Sequence, residues 1–307
     1  MSDTYDVMIL GAGAAGLTAG IYASRAKLRT LILNEGAVGG QMVLTHEIAN
    51  YPGVENISGY ALANIMKKQA RDFGCTIKSN VKITRYGLGA GIKEVELEDG
   101  RIFRSRTVIV APGGRPRPLG IPGEDTYKGK GISYCATCDG DFFTGKELVV
   151  VGGGNSALEE AVSLTKYATK VTIVHQFDHF QAFAHAVKEA EENPKISFIM
   201  ESELREISGT TNVEKVRYEN LKTGESGEMS VDGVFVFIGY LPNTESLNGI
   251  VPLNERGEIM VDATMHTSIP GVFAAGDSIA KRYRQVTTAV ADGTIAALSA
   301  AEYLRNG

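Results

Sequence analysis

The feature that most constrains this chain is a strand that runs straight into closely spaced glycines. YDVMIL (Tyr5 to Leu10) reads as a buried strand, GAGAAG places Gly11, Gly13 and Gly16 at G-x-G-x-x-G spacing, and LTAGIYASRAKL follows as a long apolar helix pattern. A second strand, Thr30 to Leu33, ends at Asn34 and Glu35, and Glu35 lies 19 residues beyond Gly16. Glycines let backbone approach a pyrophosphate at a helix N-terminus, and a carboxylate at the next strand end can accept from ribose hydroxyls. Strand, glycines, helix and acid together predict a nucleotide-binding unit.

The arrangement recurs. LVVVGGGNSALEEAVSL (Leu148 to Leu164) is another strand, glycine turn and helix, with Gly152, Gly154 and Ala157 at the small-residue positions, and a strand follows at Lys170 to Val174. Between the units, APGGRPRPLGIPGED (Ala111 to Asp125) is dense in Pro and Gly and reads as an interdomain connection. Short strand-like runs follow: KISFIM, VEKVRYE and GVFVFIGY. LPNTE is a second turn-rich crossing, TSIPGVFAAGDS puts a strand before Gly276 and Asp277, and Val286 to Tyr303 has a helical pattern. This order predicts an α/β fold of two Rossmann-like, three-layer nucleotide-binding domains, the second inserted into the first. The first domain is expected at 1–114 and 244–307 and the second at 115–243, with joints near Gly114 and Asn243.

Bulk composition narrows the function classes. With 307 residues, 43% hydrophobic, the chain can bury a core large enough for two domains. A formal charge of -5 offers no polyanion-binding signature, so nucleic acid is not an expected partner. No apolar run approaches a membrane span, and MSDTYDVMIL lacks the basic start and long apolar core of a signal peptide, so the expected location is the cytoplasm. Only three cysteines occur, Cys75, Cys135 and Cys138, and the last two form a CxxC. In a reducing compartment such a pair is a redox centre or a metal half-site. Zinc would want two further Cys or His ligands, yet Cys75 is isolated and His175, His179 and His185 lie in the second nucleotide unit, so no metal is expected. His175 and His179 stand four apart, a spacing at which a helix could bring both to one face. Two thiols three residues apart can close a disulfide across one turn and exchange electrons with a neighbouring donor.

GAGAAG, GGQ (Gly39 to Gln41), NYPG (Asn50 to Gly53), CATCD (Cys135 to Asp139), GGGNSALEEA, IPGVFAAGD and RQVTTAVADG, in this order along the whole chain, resemble the low-molecular-weight thioredoxin reductases. The resemblance implies an FAD-dependent disulfide oxidoreductase that passes electrons through the flavin and the Cys135-Cys138 disulfide to thioredoxin. It implies that the two flanking segments hold FAD. Gly11, Gly13, Ala14, Ala15 and Gly16 would meet its pyrophosphate and Glu35 its adenosine ribose. Gly40, Gln41 and Asn50 would lie near the flavin, Gly276 and Asp277 would hold the ribityl or phosphate portion, and Arg284, Gln285 and Val286 would meet the isoalloxazine at a helix start. Cys138 would be the flavin-side cysteine, Cys135 the one that attacks the substrate disulfide, and Asp139 the acid that handles protons as thiols leave. The family's habit is a homodimer. In peroxidase-linked relatives a redox domain precedes the flavin motif; here that motif begins within a dozen residues, and no such domain is expected.

One stretch departs from the family. NADPH-dependent members carry a basic cluster of the pattern HRRxxxR after the strand of the second unit, where guanidinium groups pair with the 2'-phosphate. Here the run is His175, Gln176, Phe177, Asp178, His179, Phe180, Gln181, with no arginine. An NADH site would usually show an acid directly at the strand end, and Asp178 comes late for that role. The combination looks like the ferredoxin-dependent flavin thioredoxin reductases, a branch independent of pyridine nucleotides. The expected donor is therefore reduced ferredoxin, which would dock on local basic charge such as Lys281, Arg282, Arg284, Arg115 and Arg117. NADH or weak NADPH use is the alternative; a flavin-based redox sensor is disfavoured by Asp139 and by the lack of a signalling module.

Overall fold

The computed structural model describes residues 4–44, 48–89 and 91–306. The chain divides into two compact units, one made of Met1–Arg115 with Leu241–Gly307 and the other of Pro116–Tyr240.

The first unit opens with β1 (Thr4–Leu10), α1 (Ala14–Arg25) and β2 (Thr30–Asn34). The apolar runs that define β1 and β2 are buried on both faces, as strands of a sheet covered on both sides must be. α2 (Gly59–Asp72) starts at Ser58, whose side chain accepts from the Ala61 amide. β3 (Thr76–Ser79), β4 (Ile83–Gly87), β5 (Lys93–Leu97) and β6 (Ile102–Val110) complete the first passage. The chain then leaves through β7 (Gly114–Pro116).

The second unit contains α3 (Glu124–Tyr127), β8 (Ile132–Ser133), α4 (Ala136–Asp139), β9 (Glu147–Val151), α5 (Asn155–Leu164), β10 (Lys170–Val174), α6 (Ala184–Glu191) and β11 (Ile196–Ile199). β12 (Ser202–Gly209), β13 (Val213–Asn220), β14 (Ser226–Ser230) and β15 (Gly233–Val236) follow. The chain returns through β16 (Tyr240–Pro242), which pairs with β7, and ends in β17 (Val272–Ala274) and the long α7 (Val286–Asn306).

In the first unit the sheet runs β3-β2-β1-β6-β5-β4, with β17 added to β6. Strands β1, β2, β3, β6 and β17 are parallel and the β4–β5–β6 edge is antiparallel. The second unit has a parallel sheet, β11-β10-β9-β15-β8, and a separate antiparallel ribbon, β12-β13-β14. Parallel sheets of this kind bind ligands outside the carboxyl ends of their strands. In the first unit those ends deliver Gly11, Asn34, Ala111 and Gly276; in the second they deliver Gly152, His175 and Phe237. The α/β Rossmann-like architecture expected from the sequence is what the chain adopts. The three-stranded ribbon and the β4–β5 edge were not anticipated. No helix among the described residues is long and apolar enough to cross a membrane.

Candidate functional site

The glycine turn of the first unit is shaped by three different requirements. Gly11 has φ +113°, and a Cβ there would meet the Ala111 carbonyl oxygen at 2.1 Å. A Cβ on Gly16 would meet the Gly11 carbonyl oxygen at 1.9 Å, so the start of α1 lies directly on the turn. Gly13 differs: its only near neighbour is the Gly40 Cα at 3.9 Å, which leaves its exposed face open at the N-terminus of α1. Two glycines are demanded by packing and one by what must approach from outside.

Neighbouring loops fix this cradle. Asn34 at the end of β2 accepts from the Ala12 amide through Oδ1 at 2.8 Å and donates through Nδ2 to the Ala37 carbonyl at 3.1 Å. The Gly39 amide donates to the Ala12 carbonyl at 2.8 Å, bringing Gly40 against the turn. Gln41 is exposed in the 3-10 turn that follows. The exposed Glu35 accepts from the Ile83 amide at 3.1 Å through Oε1. Asn50 donates to Gln285 at 3.4 Å across 235 residues of sequence, so these two expected flavin neighbours do meet. In sequence Asn34 marks only a strand end; folding brings it beside the glycine turn across 22 residues.

Asp277 follows Gly276 (φ +82°) at the end of β17. Its Oδ1 is buried and faces the Lys281 ammonium 3.3 Å away. Burial pushes the Asp277 carboxyl up and the Lys281 charge opposes that rise. A carboxylate oxygen has more than one lone pair, so beside Lys281 it can still accept from a ligand hydroxyl. The open Gly13 face and this Asp277 oxygen are what a dinucleotide with a polyhydroxy chain requires, and the residues present fit FAD.

Lys281 also donates to Asp292 at 2.7 Å, and Arg284 pairs with Glu258 and donates from Nε to the Asp277 carbonyl at 3.2 Å. The side chains of Lys281 and Arg284 are 13% and 20% exposed. This corrects the expectation that they lie on a docking surface: buried acids nearby draw both charges inward. Arg115, which pairs with Glu245 and Asn243, Arg117, and Arg282, over the Tyr283 ring, are all exposed.

In the second unit Cys135 and Cys138 form a disulfide, with Cα atoms 5.3 Å apart. Cys135 caps α4, and its Sγ accepts from the Cys138 amide at 3.2 Å, a donor that also stabilises a thiolate at that sulphur. Asp139 accepts through Oδ2 from the buried Ser133 hydroxyl at 2.6 Å. The preceding Tyr134 donates to Glu124 at 2.6 Å; Glu124 is 4% exposed and also accepts from the Leu119 and Gly120 amides. Phe142 is 48% exposed, beside a groove of about 410 Å³ that Gly131, Phe143, Lys146, Val213 and Asp232 also line. No group of His, Cys, Asp or Glu that could hold a metal occurs among the described residues.

The second glycine turn repeats the first. Gly152 has φ +136°, and a Cβ on it would meet the Phe237 carbonyl oxygen at 2.4 Å. Residues 175–183 form a loop on this turn, so His175 and His179 do not share a helix face. The buried His175 ring covers Gly153, the Gln181 amide donates to the Gly153 carbonyl at 2.8 Å, and the Phe183 amide donates to Asn155 Oδ1 at 2.7 Å. Burial lowers the His175 pKa and keeps the ring neutral. Gln176, Phe177, Asp178, His179 and Gln181 point outward, with the Phe177 and His179 rings stacked 6.1 Å apart. Asp178 hydrogen-bonds His179 at 2.7 Å, which holds its carboxyl below the usual range. Outside the loop, the Lys222 ammonium, itself bonded to Glu201, also favours the ionised Asp178.

Comparison with known proteins agrees with this geometry. The family of pyridine nucleotide-disulphide oxidoreductases matches residues 5–293. The chain is 48% identical to a Clostridium pasteurianum protein described as a 34.2 kDa protein in rubredoxin operon, over 97% of each chain. It is 45% identical to a thioredoxin reductase of Peptoclostridium acidaminophilum, covering 99% of this chain and 98% of that one. The crystal structure of a Streptococcus pyogenes thioredoxin reductase superposes with a TM-score of 0.92 at 42% identity, covering 100% of both chains. The chain therefore belongs to the pyridine nucleotide-disulphide oxidoreductases and, within them, to the low-molecular-weight thioredoxin reductase family.

Proposed function

We propose that this protein is an FAD-dependent reductase of a thioredoxin-type protein disulfide, and that its electron donor is reduced ferredoxin and not NADPH. The observation that carries the donor assignment is the loop 175–183. It occupies the strand end where a 2'-phosphate would be gripped, and it presents Gln176, Phe177, Asp178, His179 and Gln181 with no lysine or arginine. Charge-assisted contacts to a phosphate contribute roughly 1.5–3 kcal/mol each, so a loop without them binds NADPH orders of magnitude more weakly. NADH, whose 2'-hydroxyl needs no arginine, is the alternative donor. The 48%-identical relative from a rubredoxin operon makes rubredoxin a second one-electron protein to offer.

FAD would be held in the first unit by the glycine turn from Gly11 to Gly16, by Glu35, by Gly40, Gln41 and Asn50, and by Gly276, Asp277, Arg284, Gln285 and Val286. When bound, it supplies a two-electron carrier that one-electron donors can fill in sequence. The remaining chemistry belongs to the second unit. In the dithiol state the Cys135 thiolate, favoured by the Cys138 amide, attacks a sulphur of the substrate disulfide. That S–S bond breaks, a mixed disulfide forms, and the departing thiolate takes a proton from Asp139. Cys138 then attacks the Cys135 sulphur, which restores the intramolecular disulfide and releases the second substrate thiol. Exposed Phe142 and its groove offer the partner a contact three residues beyond Asp139. The working unit is proposed to be a cytoplasmic homodimer. Anaerobic mixing of the protein with NADPH, NADH, reduced ferredoxin or reduced rubredoxin, followed by flavin absorbance, tests the donor. Rapid bleaching by micromolar NADPH would refute it.

A further inference from the structure

The buried hydroxyl of Ser133 lies at the junction of the redox turn and the proton donor. Ser133 is the last residue of β8, and its backbone is fixed by parallel pairing with Phe235 of β15. Only 4% of the residue is exposed. Its Oγ accepts from the Cys135 amide at 3.1 Å, the local turn that serine side chains readily make. A hydroxyl has one hydrogen, and two acceptors compete for it: Asp139 Oδ2 at 2.6 Å and the Cys135 carbonyl at 3.3 Å. The shorter contact, to a carboxylate, takes it. One side chain thus ties the backbone of the attacking cysteine to the carboxyl group six residues away.

We propose that Ser133 is a positioning residue for disulfide exchange, fixing Asp139 Oδ2 as an acceptor and placing the transferable proton on Oδ1. This rests on the reading of Asp139 as the proton donor. In a protonated carboxyl the carbonyl oxygen is the better acceptor, so a donor locked onto Oδ2 assigns carbonyl character there and the O–H to Oδ1. When the substrate S–S bond breaks, the Oδ1–H bond breaks with it, an S–H bond forms on the departing sulphur, and water reprotonates the carboxylate before the next cycle. Ser133 neither gains nor loses a proton. Its donation favours the ionised carboxylate, so its removal raises the pH at which Asp139 titrates and weakens the fixing of its Oδ2. Among the described residues, titratable groups on elements packed against α4 include Glu159 and Glu160 of α5 and Asp141 of the turn that follows.

The test is single-turnover reduction of a thioredoxin disulfide by the full-length holoprotein, first reduced to the dithiol, from pH 5 to 9. Ser133→Ala, Ser133→Thr and Asp139→Asn are compared, with thermal unfolding of each. Ser133→Ala is expected to lower the plateau rate about tenfold and to move the alkaline fall in rate upward by about one pH unit. Ser133→Thr, which keeps the hydroxyl, restores both, and Asp139→Asn removes that limb altogether. A Ser133→Ala profile unmoved in pH while Asp139→Asn loses the limb overturns the role of Ser133 alone. Equal loss in Ser133→Ala and Ser133→Thr, tracking lowered thermal stability with the limb in place, also overturns it. An unaffected Asp139→Asn profile instead removes the proton-donor reading on which the proposal stands.

Discussion

Gln176→Arg/Phe177→Arg/Gln181→Arg should convert the second unit into an NADPH-binding one. Gln176 and Gln181 are exposed and Phe177 is 38% exposed, so the new guanidinium groups would meet a phosphate in water and not in a dry pocket. Unit charges 4 Å apart in water attract by about 1 kcal/mol, and three such contacts give roughly 3 kcal/mol, an affinity gain of about 150-fold. The loop should keep its shape, because the Gln181 contact to Gly153 is made by its backbone amide. NADH lacks the 2'-phosphate and should change by no more than about threefold, since only a general charge effect acts on it. The assay is anaerobic stopped-flow reduction at increasing nucleotide, with the apparent Kd read for each coenzyme. Unchanged NADPH affinity, or equal tightening of both coenzymes, would refute the placement of a nucleotide phosphate at this loop.

Other perturbations separate the parts of the site. Cys135→Ser should abolish thioredoxin reduction while leaving flavin bleaching by the donor intact, and Cys138→Ser should accumulate a mixed disulfide through Cys135, both visible by non-reducing mass spectrometry. Asp277→Asn replaces one oxygen of a buried carboxylate and removes the charge facing Lys281, and should weaken FAD by about 5- to 30-fold in a fluorescence titration of the apoprotein. Burial pushes the Cys75 thiol up to about 12. The unfolded chain loses that proton near about pH 8.5. The folded state therefore binds more protons in this interval, and stability falls as pH rises from about 8.5 by up to about 1.4 kcal/mol per unit, with no effect below it. Denaturant midpoints at pH 7.5 and 10 should show this slope in the wild type and its loss in Cys75→Ala.

The two glycine turns were legible because each is dictated by contiguous residues: a strand fixes direction, a glycine relieves a contact at 2.1 Å, and the helix start follows within six positions. The CxxC was legible for the same reason, and the structure closes Cys135 to Cys138. The fate of the AKRYRQ charges was hidden. Lys281 and Arg284 looked like surface residues until folding set Asp292 and Glu258 beside them, and no local pattern encodes an ion pair 26 positions apart. Of the β12-β13-β14 ribbon only VEKVRYE, within β13, reads as a strand in sequence; the charged and polar residues of β12 and β14 carry a weak signal without their partners. Ser133 reads as an ordinary small polar residue; its meaning appears only when α4 turns Asp139 back over it.

Complete turnover measures the central claim most directly. Thioredoxin disulfide is supplied with the holoprotein under anaerobic conditions, electrons come from either reduced ferredoxin or NADPH at equal reducing equivalents, and thioredoxin thiols are counted against time. Steady thiol formation is expected with ferredoxin, at a rate at least about 100-fold above that with NADPH, and its disappearance in Cys135→Ser. Comparable or faster turnover with micromolar NADPH, from a loop that carries no lysine or arginine between His175 and Phe183, would contradict this assignment.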